Sequence, residues 1–354
     1  MGLFGNLFSS KNKRREAEIA ARMAQEPPRR LVGGFPKTWS DQLDQIIPAV
    51  DLGALLALYE SLDTRGRYLM LEDLGKYFDI NTPTGAALYN DWMERLSPNH
   101  GATPHAKMVA GVIHQAVGWF RRSEQTADKV AEDQWADFRT HLLTGLDLLT
   151  AAGRELNNTD IVPFLHAQTS AYATGEPLEV AQLWQAIDPF NRLGLFKLGA
   201  QLDERWFGDS HHQLALAEYI AQNVPEGHDS LVVAAELVIE RWEFLLAFHE
   251  LSEAECDQAT VENEWVQGFL KLAYTKMFKS GYPVEEQLEA RHLSLFAWCF
   301  YWGNLDELAN EVFRALRGRV YAPAWTIRDP NDDPILEFEA AREYLIDAVE
   351  LGRN

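Results

Sequence analysis

The chain has 354 residues, 32 Lys and Arg against 53 Asp and Glu, a formal charge of -21, and 47% hydrophobic side chains. That apolar and aromatic content excludes disorder throughout and suffices for the core of one large or two ordinary domains. So acidic a surface repels phosphate and argues against nucleic acid as a partner.

The amino terminus reverses the charge, with seven Lys and Arg against three Glu in residues 1–30. Leu3, Phe4, Leu7 and Phe8 fall on one face of a helical turn, and Lys11, Lys13, Arg14 and Arg15 follow at once. An apolar wedge beside a basic cluster is the pattern of a segment that touches an anionic lipid surface. A frayed tail or a docking peptide for another protein is the alternative. Gly2 does not make a myristoylation signal, because Asn6 stands where Ser or Thr is required. Pro27-Pro28 and Gly33-Gly34-Phe35-Pro36 break any continuing helix. Residues 1–37 therefore read as a basic, flexible or amphipathic segment and linker. Residues 38–354 read as an all-helical domain with a sub-boundary near 125–160.

Beyond that linker, apolar residues recur at three- and four-residue spacing with little strand-like alternation. Helices are expected near 41–62, 67–79, 84–96, 104–122, 125–152, 160–174 and 177–187, then 189–205, 211–223, 230–250, 253–280, 283–302, 305–318 and 334–351. Their starts are marked by Thr103-Pro104, Glu176-Pro177, Asp188-Pro189, Tyr282-Pro283 and Asp333-Pro334, where Pro fits a first helical position. Ser210 to Gln213 and Ser252 to Glu255 have the form of a capping box. Gly153, Gly175, Gly281, Gly303 and Gly352 mark stops. Over 230–250, Leu231, Ala234, Val238, Trp242 and Leu245 keep to one stripe, with Glu236, Glu240 and Glu243 on the other. Such stripes are expected to bury against one another in antiparallel helix hairpins. Gly175 and Gly208 open similar segments 33 residues apart, near the period of tetratricopeptide-type helix pairs. The fold expected is all-α, a stacked helical-repeat array, with an irregular helical domain as the alternative.

Asp188-Pro189-Phe190-Asn191, Leu202 to Ser210, Ala217-Glu218-Tyr219 and Pro225-Glu226-Gly227 together resemble a bacterial family of tetratricopeptide-like helical proteins of unknown function. The family's turn carries Lys before Trp, where Arg205 stands here, and Asp209 intervenes before Ser210. The resemblance covers about residues 130–250; it implies a helical-repeat fold and supplies no catalytic residue. Each motif residue also has a local structural job: Trp206 and Phe207 fill the core, Gly208 turns the chain and Ser210 caps the next helix.

No phosphate-cradling G-x-x-x-x-G-K-[ST] or G-x-G-x-x-G, no G-x-S-x-G elbow, no H-E-x-x-H and no C-x-x-C occurs. Glu289 and His292 match half of a carboxylate-bridged metal motif, without a second copy, and read as a surface pair. Asp329 to Asp333 reads as an acidic turn in which Asp333 caps the last helix, because Pro334 and Ala340 stand where a calcium loop needs Gly and Glu. His211 and His212 read as solvated. No catalytic residue, cofactor or metal is expected. Cys256 and Cys299 read as two packed thiols in a reducing compartment.

Most of the 11 tryptophans fall at apolar helical positions. Trp298, Tyr301, Trp302 and Trp325 form the best candidate for a partner-binding aromatic face. The reading that follows is a non-enzymatic adaptor that binds another protein or peptide, a basic one if charge decides. It is expected in the cytoplasm, and the sequence leaves its oligomeric state open. One alternative is a factor peripheral to the inner face of the membrane through residues 1–15. Another is an enzyme with carboxylates and a His in an aromatic pocket.

Overall fold

Where helices begin and end follows from caps and prolines written locally in the chain. A computed structural model describes residues 3–32, 37–97, 103–123, 129–209, 211–249, 251–278 and 286–352. It is mostly helical and divides into two units, one of residues 37–212 and one of residues 1–36 with 213–354. Within the expected segment and linker, Gly33 to Pro36 lie outside the described residues. Helix α1 spans Leu3–Met23 and strand β1 spans Arg30–Val32. The apolar wedge at Leu3, Phe4, Leu7 and Phe8 has side chains outside the described residues.

The unit of residues 37–212 is built from α2 (Ser40–Ile46), α3 (Leu52–Ser61), α4 (Thr64–Gly75), α5 (Pro83–Leu96), α6 (Pro104–Arg122), α7 (Glu132–Glu155), α8 (Val162–Thr169), α9 (Ala171–Thr174), α10 (Pro177–Gln185) and α11 (Arg192–Gln201). The single helix expected over 41–62 is two. Pro48 cannot donate to the ladder and Val50 turns with φ 51°, after which the Asp51 side chain accepts from the Ala54 amide and starts α3. Helices α6 and α7 pack along each other, and α7 occupies residues 132–155 of the region expected to hold a sub-boundary. Asn191, not Asp188-Pro189, caps α11, its side chain accepting from the Leu193 and Gly194 amides. The core here includes Trp39, Trp92, Phe138, Phe164 and Trp184. Buried indole N–H groups find acceptors: Trp39 on Asp73, Trp92 on the Ile47 carbonyl and Trp184 on Gln168.

From Gln213 onward the chain contributes α12 (His212–Asn223), α13 (Val233–Phe248), α14 (Glu253–Ala259), α15 (Glu264–Phe278), α16 (Glu286–Trp302), α17 (Asp306–Leu316), strand β2 (Arg319–Tyr321), α18 (Ala322–Trp325) and α19 (Pro334–Leu345). The expected helix over 253–280 breaks where the Thr260 hydroxyl bonds back to the Cys256 carbonyl. Ser252 and Glu255 form their capping box, and Asp333 caps α19 by accepting from the Ile335 amide. Helix α13 is buried on more than its apolar stripe. Glu243 is exposed as expected and Glu240 half-buried, but Glu236 is buried and bonded at 2.9 Å to Arg291, which neutralises it.

The two short strands were not expected. They pair in parallel, Arg30 with Arg319, Leu31 with Val320 and Val32 with Tyr321. Arg15 on α1 pairs with Asp347, and Arg342 bonds to Glu26, Asn310 and Glu350. The amino-terminal segment is thus tied into this unit by charge as well as by backbone. Cys256 and Cys299 are buried free thiols, and burial raises both above the ordinary thiol range.

Candidate functional site

The aromatic face expected of Trp298, Tyr301, Trp302 and Trp325 is mostly consumed inside the fold. Trp298 is 1% and Trp325 5% exposed, so neither can anchor a partner. Trp298 packs edge-on against Trp242 at 5.5 Å, and Trp325 packs against Phe313 and Phe338. The half-buried Trp302 lies under the Arg328 guanidinium, 3.5 Å from its ring centroid. Arg328 also binds Glu253 and Asp257, and Asp257 accepts from the Trp242 indole. Tyr301 is half-buried among Trp302, Phe313 and Tyr344. The reason is energetic: α16 carries rings on several faces, and removing each ring from water stabilises by about 2 kcal/mol or more.

The motif around Trp206 does structural work, with two differences from expectation. Trp206 and Phe207 are half-buried, not core plugs; both rings meet Tyr172, and Trp206 also meets Trp119. Arg122 fills the space among Trp119, Trp135 and Trp206, at 5.2 to 5.7 Å from the ring centroids. Gly208 is required by close approach, since a Cβ there would lie 1.6 Å from the Leu202 carbonyl oxygen. Ser210 lies outside the described residues; Asp209 does the capping, accepting from the His211 and His212 amides at 2.8 and 3.0 Å. His211 and His212 are exposed, as expected. Glu289 and His292 are no surface pair: His292 is fully buried, and Glu289 binds Arg319 at 2.7 Å.

The constellation that can meet a ligand lies within residues 37–212 and was not singled out from the sequence. It is a groove of about 330 Å³. Helix α4 places Tyr68, Leu71, Glu72 and Gly75 on one face, at offsets of three, four and seven residues. Helix α6 does the same with Val112, Gln115, Ala116 and Trp119. Helix α8 adds His166 and Thr169, α11 adds Lys197, and Lys37 and Lys76 close the rim.

Its polar groups are arranged in two linked sets. In the first, Asp73 accepts from Lys37 and Lys76, each at 2.7 Å, and from the Trp39 indole at 2.9 Å. Burial works to raise the Asp73 carboxyl, but these three donors outweigh it and hold it below the usual carboxylate range. Asp73 raises the Lys76 ammonium in return.

In the second, the Lys197 ammonium donates to the Thr169 hydroxyl at 3.0 Å and stands 3.3 Å from Glu72. It also lies 5.2 Å from the Tyr68 ring centroid. The Tyr68 hydroxyl donates to Glu72, and its ring stacks on His166 at 4.6 Å. Burial lowers Lys197 to about 8 and His166 to about 3, so the imidazole is neutral at physiological pH. Burial, then the neighbouring Asp73 charge, pushes Glu72 up to about 7, although 41% of its side chain stays open to solvent that screens it. Gln115 bonds the His166 carbonyl and the Ser170 hydroxyl at 2.7 Å each, which fixes the floor.

Three lysines against Asp73 and a partly neutralised Glu72 make this groove locally positive in a chain of net charge -21. Lys76 leaves 70% of its side chain exposed, and Lys37 about half, so both can reach an incoming anion while holding Asp73. Trp119, Leu69 and Val112 supply apolar wall beside them. The spacing of Tyr68, Glu72 and Lys76 on consecutive turns was visible in the sequence; that Lys37 and Lys197 join them was not. Among the described residues no group of three or more His, Cys, Asp or Glu could hold a metal ion, and no helix is long and apolar enough to cross a membrane. No protein-family model, curated protein or solved structure matches the chain.

Proposed function

We propose that this protein is a non-enzymatic binding module on an all-helical scaffold, and that the groove of residues 37–212 receives a carboxylate-bearing peptide segment of a partner protein. The helical-repeat arrangement implied by the resemblance around Asp188 and Trp206 belongs to the same proposal, as does a place in the cytoplasm. One observation carries the reading: Lys37, Lys76 and Lys197 converge beside the half-buried Trp119 within an otherwise acidic chain. The basic partner suggested by net charge alone is set aside for this groove, because a ligand senses the local field before the distant one. Titration of the intrinsic tryptophan emission with a peptide ending in Leu-Asp-Glu tests it. Saturable change is expected with the free carboxylates and none with the Leu-Asn-Gln amide. Equal response to both would remove the proposal.

A second reading, acid–base chemistry in the same groove, is favoured by Glu72 and Lys197 lying 3.3 Å apart with proton affinities displaced toward neutrality. Turnover that disappears in Glu72→Gln while ligand binding persists would establish it. Contact with a membrane through Leu3, Phe4, Leu7 and Phe8 stays a separate alternative. Co-sedimentation with anionic vesicles, abolished by Phe4→Glu with Phe8→Glu, is its test.

A further inference from the structure

The groove of residues 37–212 already holds a carboxylate of its own beside the most enclosed of its three lysines. Glu72 stands 3.3 Å from the Lys197 ammonium, which also donates to the Thr169 hydroxyl at 3.0 Å. The two acidic residues of the groove are held differently. Asp73 accepts from Lys37, Lys76 and the Trp39 indole, so its position and its charge are both fixed. Glu72 accepts from the Tyr68 hydroxyl and faces Lys197, with 41% of its side chain open to solvent.

The groups around Glu72 come from every side of the groove. Helix α4 supplies Tyr68, Asp73 and Lys76, α8 supplies His166, α11 supplies Lys197, and Lys37 reaches in ahead of α2. The wall from α6 contributes Val112, Gln115 and Trp119, none of which ionises. Burial first, then the Asp73 charge, raise Glu72 to about 7, while Lys76 and Lys37 pull it down. His166, lowered to about 3 by burial, stays neutral throughout this range. A ligand carboxylate arriving at Lys197 brings a second like charge beside Glu72, and two carboxylates that share one site do not both stay ionised. Solvent in contact with Glu72 supplies the proton. The Tyr68 hydroxyl, a donor to the ionised carboxylate, can turn to accept from the protonated acid.

We propose, on the premise that the groove receives a carboxylate-bearing peptide, that Glu72 is a built-in competitor for Lys197: the ligand's carboxylate takes its place on the ammonium, and Glu72 takes up one proton. The bound state keeps that proton and the free state loses it above about pH 7, so affinity falls as pH rises. Recognition at this site is thereby regulated by pH near neutrality.

Calorimetric titration of the full chain with an amino-terminally acetylated peptide ending in Leu-Asp-Glu, in buffers of different ionisation heat, counts the protons. Such a peptide carries no group that titrates between pH 6 and pH 8. Wild type should take up about half a proton at pH 7, and its affinity should fall about fourfold from pH 6 to pH 7.5. Lys197, lowered to about 8, titrates mainly above that window. Glu72→Gln keeps the shape without the charge. Its proton uptake should drop to near zero, its affinity should be nearly level across the window, and at pH 7.5 it should bind about fourfold tighter than wild type. Tyr68→Phe keeps the ring and removes the donor to the ionised carboxylate, so the fall in affinity should move to higher pH. Binding without proton uptake in wild type, the wild-type pH profile in Glu72→Gln, or an unmoved profile in Tyr68→Phe overturns the competitor role and leaves peptide recognition standing. No binding at any pH removes both.

Discussion

Replacing Lys197 by Met should stabilise the protein at neutral pH while abolishing its ligand affinity. The side chain is only 22% exposed, and burial lowers its ammonium from 10.5 to about 8. Such a displacement corresponds to roughly 3 kcal/mol spent on carrying the charge in the folded chain, and residual solvent contact reduces this to about 2 kcal/mol. Met fills similar volume and loses the hydrogen bond to Thr169 and the half-screened contact with Glu72, together worth about 1 kcal/mol, so the net gain at pH 7 is about 1 kcal/mol. Its pH dependence has a definite sign. Because the folded-state value lies below the unfolded one, the cost is complete below about pH 8 and is relieved as pH rises toward 10.5. The variant's advantage should therefore shrink across that window and close or reverse near pH 10. Urea unfolding followed by circular dichroism, wild type beside variant at pH 7 and pH 10, measures it. A variant less stable at pH 7, or an advantage independent of pH, would refute the reasoning. Gained stability with lost binding is what a residue kept for function predicts.

Gly208→Ala should destabilise by about 3 kcal/mol or more, since its Cβ would overlap the Leu202 carbonyl; a melting temperature unchanged from wild type would contradict that contact. Ser252→Ala should cost about 1 kcal/mol by removing one half of the capping box on α14, read from the shift in urea midpoint. Cys256 and Cys299 should resist a thiol reagent in the native protein and both react in denaturant, because burial hides them and disfavours their thiolates; rapid native modification of either would show that the surrounding helices open.

Local chemistry was legible in the sequence and distant chemistry was not. Thr103-Pro104, Ser252 with Glu255 and Asp333-Pro334 each start a helix through groups within a few residues, and the structure uses them as read. Pro48 and Thr260 are equally local signals, and the helices break at both although apolar spacing continues through them. Glu236 looked solvated because a carboxylate alone belongs in water; Arg291, far along the chain, makes its burial tolerable. The β1–β2 pair depends on two three-residue segments from opposite ends of the chain, too short to show alternation. The aromatic residues of α16 and α18 gave a false lead for a related reason: composition marks Trp as an anchor, and only packing shows that Trp298 and Trp325 are already occupied. The groove combines both cases. Tyr68, Glu72 and Lys76 follow helical spacing, whereas Lys37 and Lys197 are brought in by tertiary structure.

The most direct measurement is a crystal structure of the chain soaked with the Asp-Glu dipeptide. Carboxylate density is expected within hydrogen-bond distance of Lys76 and Lys197, beside Trp119. Density confined to other surfaces, or a groove unchanged at saturating dipeptide, would contradict the assignment of these lysines to ligand recognition.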